Sequence, residues 1–191
     1  MANKNRMIIY CRLAYFNCWK PVQIYGKQNY SLVALISKED HETIQRVRTM
    51  IEDVKQQSVN RWGNSLLTSC KSPVHDGDIE RSQNPVFHGC YYLNAKCKDQ
   101  PQIVDQNVQP ITDPSLIYSG CYANISLIFY PYNFGTNNRG IGIWLGNVQL
   151  VHSGQRIVSR ITAKDEFSPV AFDDLIEVKE YETSPNAALV S

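Results

Sequence analysis

The chain lacks the features of membrane-spanning, exported and zinc-binding proteins. No stretch approaches the roughly 18 consecutive apolar residues of a membrane helix. The apolar run Met7–Tyr10 ends well before the ~7–15 residues of a signal sequence. The six cysteines include no Cys-x-x-Cys pair, and the four histidines stand apart in the sequence, which argues against a zinc site. We therefore expect a protein with free thiols and no metal, neither secreted nor bound to a membrane.

The sequence also contains no glycine-rich phosphate loop, no internal repeat and no low-complexity run, which removes the usual signs of a nucleotide-hydrolysing enzyme or a repeat protein. A hydrophobic fraction of 43% in 191 residues is too high for a disordered chain and suits a single folded domain.

The total charge of +1 conceals an uneven distribution. The last 27 residues, 165–191, carry seven acidic residues and one basic residue, a net charge of −6, and the rest of the chain carries +7. A basic body indicates a polyanionic partner. We expect residues 165–191 to form a flexible interaction tail whose binding residues are acidic. They are Asp165, Glu166, Asp173, Asp174, Glu177, Glu180 and Glu182.

Hydrophobic periodicity predicts one helix and five strands. Apolar residues recur at spacings of three and four in Asp40–Gln57, with Ser37 or Asp40 available as the N-cap. The strands are rich in Tyr, Ile, Val and Leu and are bounded by turn residues. They are Arg6–Tyr15, Gln28–Ser37, Cys90–Cys97, Gly120–Tyr130 and Gly140–Val151.

This order predicts a mainly β domain over residues 1–164. Its expected architecture is a five-stranded, partly open antiparallel barrel with one helix after the second strand. The segment Ser58–Gly89 has no sustained period. A loop of that length is either functional or contains a short element that periodicity does not reveal.

Strand alternation predicts that tyrosines and cations share the outer face of the barrel. A base stacked on an aromatic ring gains about 1–3 kcal/mol whatever its identity, and nearby Lys or Arg can neutralise phosphates. A single tyrosine is more often structural, so the grouping carries the interpretation. The predicted binding residues are Tyr10, Arg12, Phe16, Trp19, Lys20, Lys27, Tyr92, Lys96, Lys98, Tyr122, Tyr130, Tyr132, Arg139 and Trp144.

Two other classes of function stay open at this point. Asp76, Asp78 and Glu80 follow His75 closely, and such a loop could hold a divalent ion for nucleic-acid cleavage. Alternatively, the tyrosine-rich faces could contact other protein chains, as in a virion component. The spacing of the carboxylates matches no established metal motif, and Asp-Gly is a common turn.

Six segments resemble, in the same order, those of a known family. They are Arg12–Tyr15, Tyr30–Lys38, Asp76–Arg81, Tyr118–Ala123, Phe129–Tyr132 and Gly140–Gln149. Together they resemble phage-encoded single-stranded-DNA-binding proteins with an OB fold, long described only as a domain of unknown function.

The resemblance implies a barrel without catalysis or cofactor that coats single strands during phage replication or recombination, in the cytoplasm of the infected or lysogenic host cell. It also implies that the acidic tail recruits replication proteins such as a polymerase or helicase, or competes with DNA for the barrel. In this family Asp76–Arg81 would organise a loop. RNA as a second ligand and a homodimer stay open.

Overall fold

Long, strongly bent strands make up most of this fold. The strands are β1 (Arg6–Ile24), β2 (Lys27–Ser37), β3 (Val74–Asp76), β4 (Cys90–Cys97), β5 (Ile103–Val104), β6 (Tyr122–Asn133) and β7 (Arg139–His152). The helices are α1 (His41–Trp62) and the single turn α2 (Gly77–Glu80), followed by a 3₁₀ turn at Pro85–Phe87.

The computed structural model of the chain describes residues 4–24, 26–62, 70–134 and 138–157. All of them belong to the unit Met1–Ile157. The predicted domain boundary at residue 164 and the acidic tail lie outside the described residues, so the domain division stays a prediction. No helix in the described ranges is long and apolar enough to cross a membrane.

Five strands close into a barrel through a small set of pairings. Antiparallel β1 joins β2 on one side and β6 on the other, β4 continues from β2, and β7 continues from β6. A parallel pairing of Lys96 with Trp144 links β4 to β7 and completes the circle. The short strands β3 and β5 extend the sheet. The predicted mainly β, five-stranded barrel with a helix after the second strand is confirmed.

The core follows the predicted alternation. Ile125, Leu127 and Phe129 of β6 are fully buried inside the barrel. The predicted stripe on α1 is buried too, because Ile44, Val47, Ile51 and Val54 belong to the same core cluster. The backbone N–H of Thr43 donates to Oδ1 of Asp40 at 3.0 Å, so Asp40 is the N-cap. All six cysteines are free thiols.

The first strand is much longer than predicted. The segment Phe16–Ile24, expected to be a connection, continues β1 and pairs with β2 through two register shifts, at Asn17–Ser31 and at Val22–Asn29. Such irregularities let a strand bend and turn its side chains. Periodicity fails here because the shifts interrupt the alternation on which it depends.

The long segment after the helix contains the short elements that periodicity does not reveal. The tip of β3, the turn α2 and the 3₁₀ turn fold back against β4. Lys38 fixes this segment, because its Nζ lies 2.7 Å from Asp76 Oδ1 and 2.8 Å from Asp78 Oδ2. The segment thereby covers part of the outer face of the barrel.

Candidate nucleic-acid interface

The five barrel strands contain no carboxylate at all. The eleven acidic residues that precede the tail lie on α1, β3, α2 and connecting segments, whereas the barrel strands carry six cations. Those cations are Arg6, Arg12, Lys20, Lys27, Lys96 and Arg139. Because the barrel strands add no acidic group, the part of their outer face that the β3 and α2 segment leaves uncovered suits a polyanion.

A groove of about 830 Å³ crosses this outer face. It is lined by residues of β1, β2 and β4, by the hairpin of β6 and β7, and by the segment that leads into β3. The residues that matter most for its chemistry are Tyr15, Lys71, His75, Lys96, Tyr130, Tyr132 and Phe134. The groove therefore combines aromatic rings with two lysines.

Two glycines of β7 leave space for the tyrosine rings of β6 to pack against the β7 backbone. Tyr130 pairs with Gly142 and Tyr132 pairs with Gly140. A Cβ added to Gly142 would lie 2.4 Å from Cζ of Tyr130, and one added to Gly140 would lie 2.8 Å from the hydroxyl of Tyr132. Both rings therefore lie close against the β7 backbone, which holds them in place in the groove. Burial raises the pKa of Tyr132, so this phenol stays neutral beside phosphate.

Phe134 and Trp144 continue the aromatic surface at two sides of these tyrosines. The ring of Phe134 stacks on Tyr132 with centroids 5.8 Å apart and is 78% exposed. Trp144 meets Tyr130 edge-on at 5.3 Å and is 52% exposed. The predicted outward position of Trp144 is confirmed, although its flanking glycines, Gly142 and Gly146, make room for Tyr130 and Ser126 and do not clear space for Trp144 itself.

Tyr15 is a groove residue that the predicted set omits. Its backbone has φ of +45°, a left-handed conformation that is unfavourable for a residue with a side chain. It lies where the pairing of β1 with β2 shifts register, and this places its ring outward when alternation would place it inside. The hydroxyl accepts a hydrogen bond from Nδ2 of Asn84 at 3.3 Å. A strained, fixed aromatic in a groove is a recurrent feature of binding sites.

Other predicted residues form a second aromatic group away from the groove lining. Tyr10 stacks on Tyr122 with centroids 5.9 Å apart, and Tyr122 stacks on His152 at 4.5 Å. The hydroxyl of Tyr10 is hydrogen-bonded to Nε2 of His152 at 3.0 Å. We call Tyr10, Tyr122 and His152 the Tyr10 stack. The guanidinium of Arg12 lies 5.9 Å from the Tyr122 ring and donates to the carbonyl of Gln155 at 3.0 Å.

One aromatic residue of the predicted set is buried, and two others are partly buried. Tyr92 is on the predicted face of β4 but only 4% exposed, because Phe87 packs edge-on against it at 5.0 Å and His75 stacks on it at 4.8 Å. Phe16 and Trp19 pack against the core, and Nε1 of Trp19 donates to the carbonyl of Ile117 at 3.3 Å. The expected outward exposure of Tyr92 is wrong, whereas Phe16 and Trp19 are half-exposed and their role in binding stays a prediction.

The remaining predicted cations lie outside the groove lining. Lys20 and Lys27 are exposed on β1 and β2, and Lys98 is exposed directly after β4. Arg139 is half-buried at the start of β7, next to the backbone pairing of Lys71 with Gly140. Lys71, which lines the groove, is absent from the predicted set because it lies in a segment without periodicity.

The acidic loop is organised by protein contacts. Asp76 and Asp78 both bind Lys38, and hydrogen bonds from Lys38 and the Gly89 backbone hold the pKa of Asp78 below its usual value. Glu80 binds Nδ1 of His75 at 2.9 Å. Within the described ranges no group of three or more His, Cys, Asp or Glu side chains is arranged to hold a metal ion. These contacts give the loop a structural role.

Comparison with known proteins places these features in a family. A family model described as the single-stranded-DNA-binding protein of Enterobacter phage Enc34 matches residues 5–177. Protein p50 of Acyrthosiphon pisum secondary endosymbiont phage 1 is 30% identical over 183 residues, which cover 90% of this chain and 94% of p50.

Two solved structures have the same fold at lower sequence identity. The single-stranded-DNA-binding protein of bacteriophage Enc34, in complex with single-stranded DNA, superposes with a TM-score of 0.67 at 18% identity, over 81% of this chain and 90% of that chain. The gp2.5 single-stranded-DNA-binding protein of bacteriophage T7 superposes with a TM-score of 0.57 at 16% identity, over 89% of this chain and 100% of that chain.

Proposed function

This chain belongs to the family of phage single-stranded-DNA-binding proteins that the Enc34 model describes, and on that premise we propose that it binds single-stranded DNA in the groove. The observation that carries the proposal is the pair of tyrosine rings packed against Gly140 and Gly142 beside Lys96, on barrel strands that contain no carboxylate. Rings offer stacking to any base, and lysines neutralise phosphates without reading sequence. Binding is therefore expected to show little sequence preference.

The ligand is a single strand because its bases are unstacked and accessible. A duplex keeps its base faces inside the helix, so the rings of Tyr130, Tyr132 and Phe134 would have nothing to stack on. The cations of the barrel alone would give weak binding that does not discriminate between nucleic acids. The protein binds and releases the strand without cleaving it, and its role is to protect or present single-stranded DNA during phage replication or recombination in the host cell.

Fluorescence titration tests the proposal directly. Oligo-dT should quench the emission of Trp144, which is half-exposed beside Tyr130, and duplex DNA of the same length should bind far more weakly. Raising the salt concentration should weaken the complex because bound phosphates release counterions. Absence of binding, or a preference for duplex, would refute the proposal.

A pair of charge variants locates the binding surface. Lys96→Gln removes a groove cation and should lower the affinity for oligo-dT and reduce the salt dependence by about one unit of slope. Lys55→Gln is the matched control, because Lys55 lies on α1 next to Glu52, away from the groove lining. Equal losses in both variants would indicate a general charge effect without a specific groove.

The acidic tail adds a second element to the proposed function. With a net charge of −6, the tail resembles a polyanion, so it either recruits basic surfaces of replication proteins such as a polymerase or helicase, or competes with DNA for the barrel. Removal of the chain from Asp165 onward should tighten oligo-dT binding at low salt if it competes. Unchanged affinity would leave recruitment as its role, to be measured by binding of the tail to those proteins.

A further inference from the structure

A continuous strip of exposed and half-exposed residues leads from the groove across the barrel to β1. Lys96 pairs with Trp144, Trp144 with Ile128, and Ile128 with Arg6, so these residues form one row across β4, β7, β6 and β1. Paired strands are about 4.8 Å apart, and the row therefore has no gap. It begins at a lysine that lines the groove and ends at an exposed arginine.

Along β1 the strip turns toward the Tyr10 stack. Ile8 and Tyr10 are on the same outer face as Arg6, and they are 57% and 42% exposed. From Arg6 to Tyr10 the strand advances about 13 Å, at roughly 3.3 Å per residue. Exposed apolar side chains of this kind in a continuous strip are uncommon on a protein that has no partner. Most of the strip lies outside the groove.

The Tyr10 stack at the end of the strip is held rigidly. The rings of Tyr122 and Tyr10 are nearly parallel, with an interplanar angle of 16°, and a hydrogen bond between the hydroxyl of Tyr10 and Nε2 of His152 holds the Tyr10 ring in place. Burial and the neighbouring Tyr122 raise the pKa of Tyr10, so the ring is neutral in solution near pH 7. A base that stacks here meets a surface that needs little further ordering, which favours binding.

We propose that the Tyr10 stack is a second subsite for single-stranded DNA, reached by a strand that leaves the groove over Trp144 and Ile128. The inference rests on the proposed function of the groove and extends it to aromatic residues outside the groove lining.

The charge of the strip indicates that its occupant is nucleic acid. Arg6 lies at the corner of the strip and Arg12 beside the stack, and none of the strands that form the strip contains an acidic residue. A phosphate backbone is bound by cations, whereas the core of a protein interface is depleted in charged residues. The row has a cation at each end, Lys96 and Arg6, and it joins two aromatic sites, which fits one strand that touches both.

Oligonucleotide length separates the two sites experimentally. Affinities are measured for oligo-dT lengths from about 4 to about 16 nucleotides, the range of OB-fold site sizes. Tyr10→Leu should weaken the longest oligonucleotides by about 10-fold, the effect of one lost stacked base, and leave the shortest unchanged because they occupy only the groove. Tyr10→Phe keeps the ring and loses only the hydrogen bond to His152, so it should weaken the longest oligonucleotides much less than Tyr10→Leu does.

A groove variant and a charge variant complete the test. Tyr132→Leu should weaken every length, and Arg6→Gln, an exposed change that leaves the stack intact, should reduce the salt slope by about one only for long oligonucleotides. If Tyr132→Leu weakens binding but Tyr10→Leu and Arg6→Gln do not at any length, the second subsite is refuted and the groove stands. If the parent protein does not bind oligo-dT, the proposed function itself fails. If Tyr10→Leu changes self-association and leaves DNA affinity intact, the strip contacts protein and the inference is overturned.

Discussion

Gly142→Ala should impair DNA binding through a ring that the substitution does not alter chemically. An alanine Cβ at this position would lie 2.4 Å from Cζ and 2.6 Å from the hydroxyl oxygen of Tyr130. Non-bonded heavy atoms are comfortable at about 3.5–4.0 Å, so the ring has to move outward by roughly 1–1.5 Å. Gly142 has an ordinary strand backbone without a positive φ, and alanine itself is therefore acceptable there.

The size of the effect follows from the stacking that is lost. If the displaced ring no longer stacks on a base, the loss is about 1–3 kcal/mol, which corresponds to roughly a 5- to 150-fold weaker affinity at 1.4 kcal/mol per factor of ten. The free energy of unfolding should change little, because the clash is with the free end of a side chain that is half-exposed at the groove.

A double-mutant cycle identifies the mechanism. Tyr130→Ala removes the ring that Gly142→Ala displaces, so the second substitution should cost almost nothing in the Tyr130→Ala background. Oligo-dT affinity is measured for the parent, both single variants and the double variant, with urea unfolding of each as the control. Additive losses of affinity would show that Gly142 acts independently of Tyr130, and would refute the inference that the glycine positions the Tyr130 ring.

Three further predictions concern the parts that hold the site in place. The free energy of unfolding of Tyr15→Gly, measured with urea, should exceed that of Tyr15→Ala by about 1 kcal/mol, since only glycine adopts a positive φ freely. Both variants should bind DNA more weakly than the parent. Equal stabilities would contradict the strain assigned from φ. Lys38→Met should destabilise the fold at neutral pH. In the parent, the pKa of Asp78 is lowered, so its stabilising contribution is present above the unfolded-state pKa near 4 and is lost as the pH falls through the lower folded-state pKa. The melting temperature of Lys38→Met should therefore fall less steeply with decreasing pH than that of the parent. Burial raises the pKa of Cys97 to about 11, so its alkylation should be slow at pH 8 and accelerate toward pH 10; rapid modification at pH 7 would contradict that burial.

The parts of the fold that follow a local period are predictable from the sequence. The stripe on α1 and the inward residues of β6 are buried as predicted, because each element repeats its own pattern over several turns or pairs. The site depends on features without a period. Tyr92 is on the predicted face, but Phe87 of the preceding 3₁₀ turn covers it. Alternation along β4 does not reveal this contact, because it depends on how the segment before the strand folds. Tyr15 lies at a register shift, where alternation gives the wrong side.

The pairing of the two groove tyrosines with glycines could have been predicted from the sequence once the register of the last hairpin was assumed. With Asn133 opposite Arg139, Tyr132 faces Gly140 and Tyr130 faces Gly142, so Tyr-x-Tyr on one strand meets Gly-x-Gly on the other. The same inspection would have shown that the barrel strands contain no acidic residue. These two signals act together: glycines hold the rings where bases can stack, and the barrel strands themselves add no acidic group that would repel a phosphate backbone. Attraction to DNA therefore does not need a dense cluster of lysines, and six cations distributed over the strands suit a binder that follows the backbone and does not read the bases.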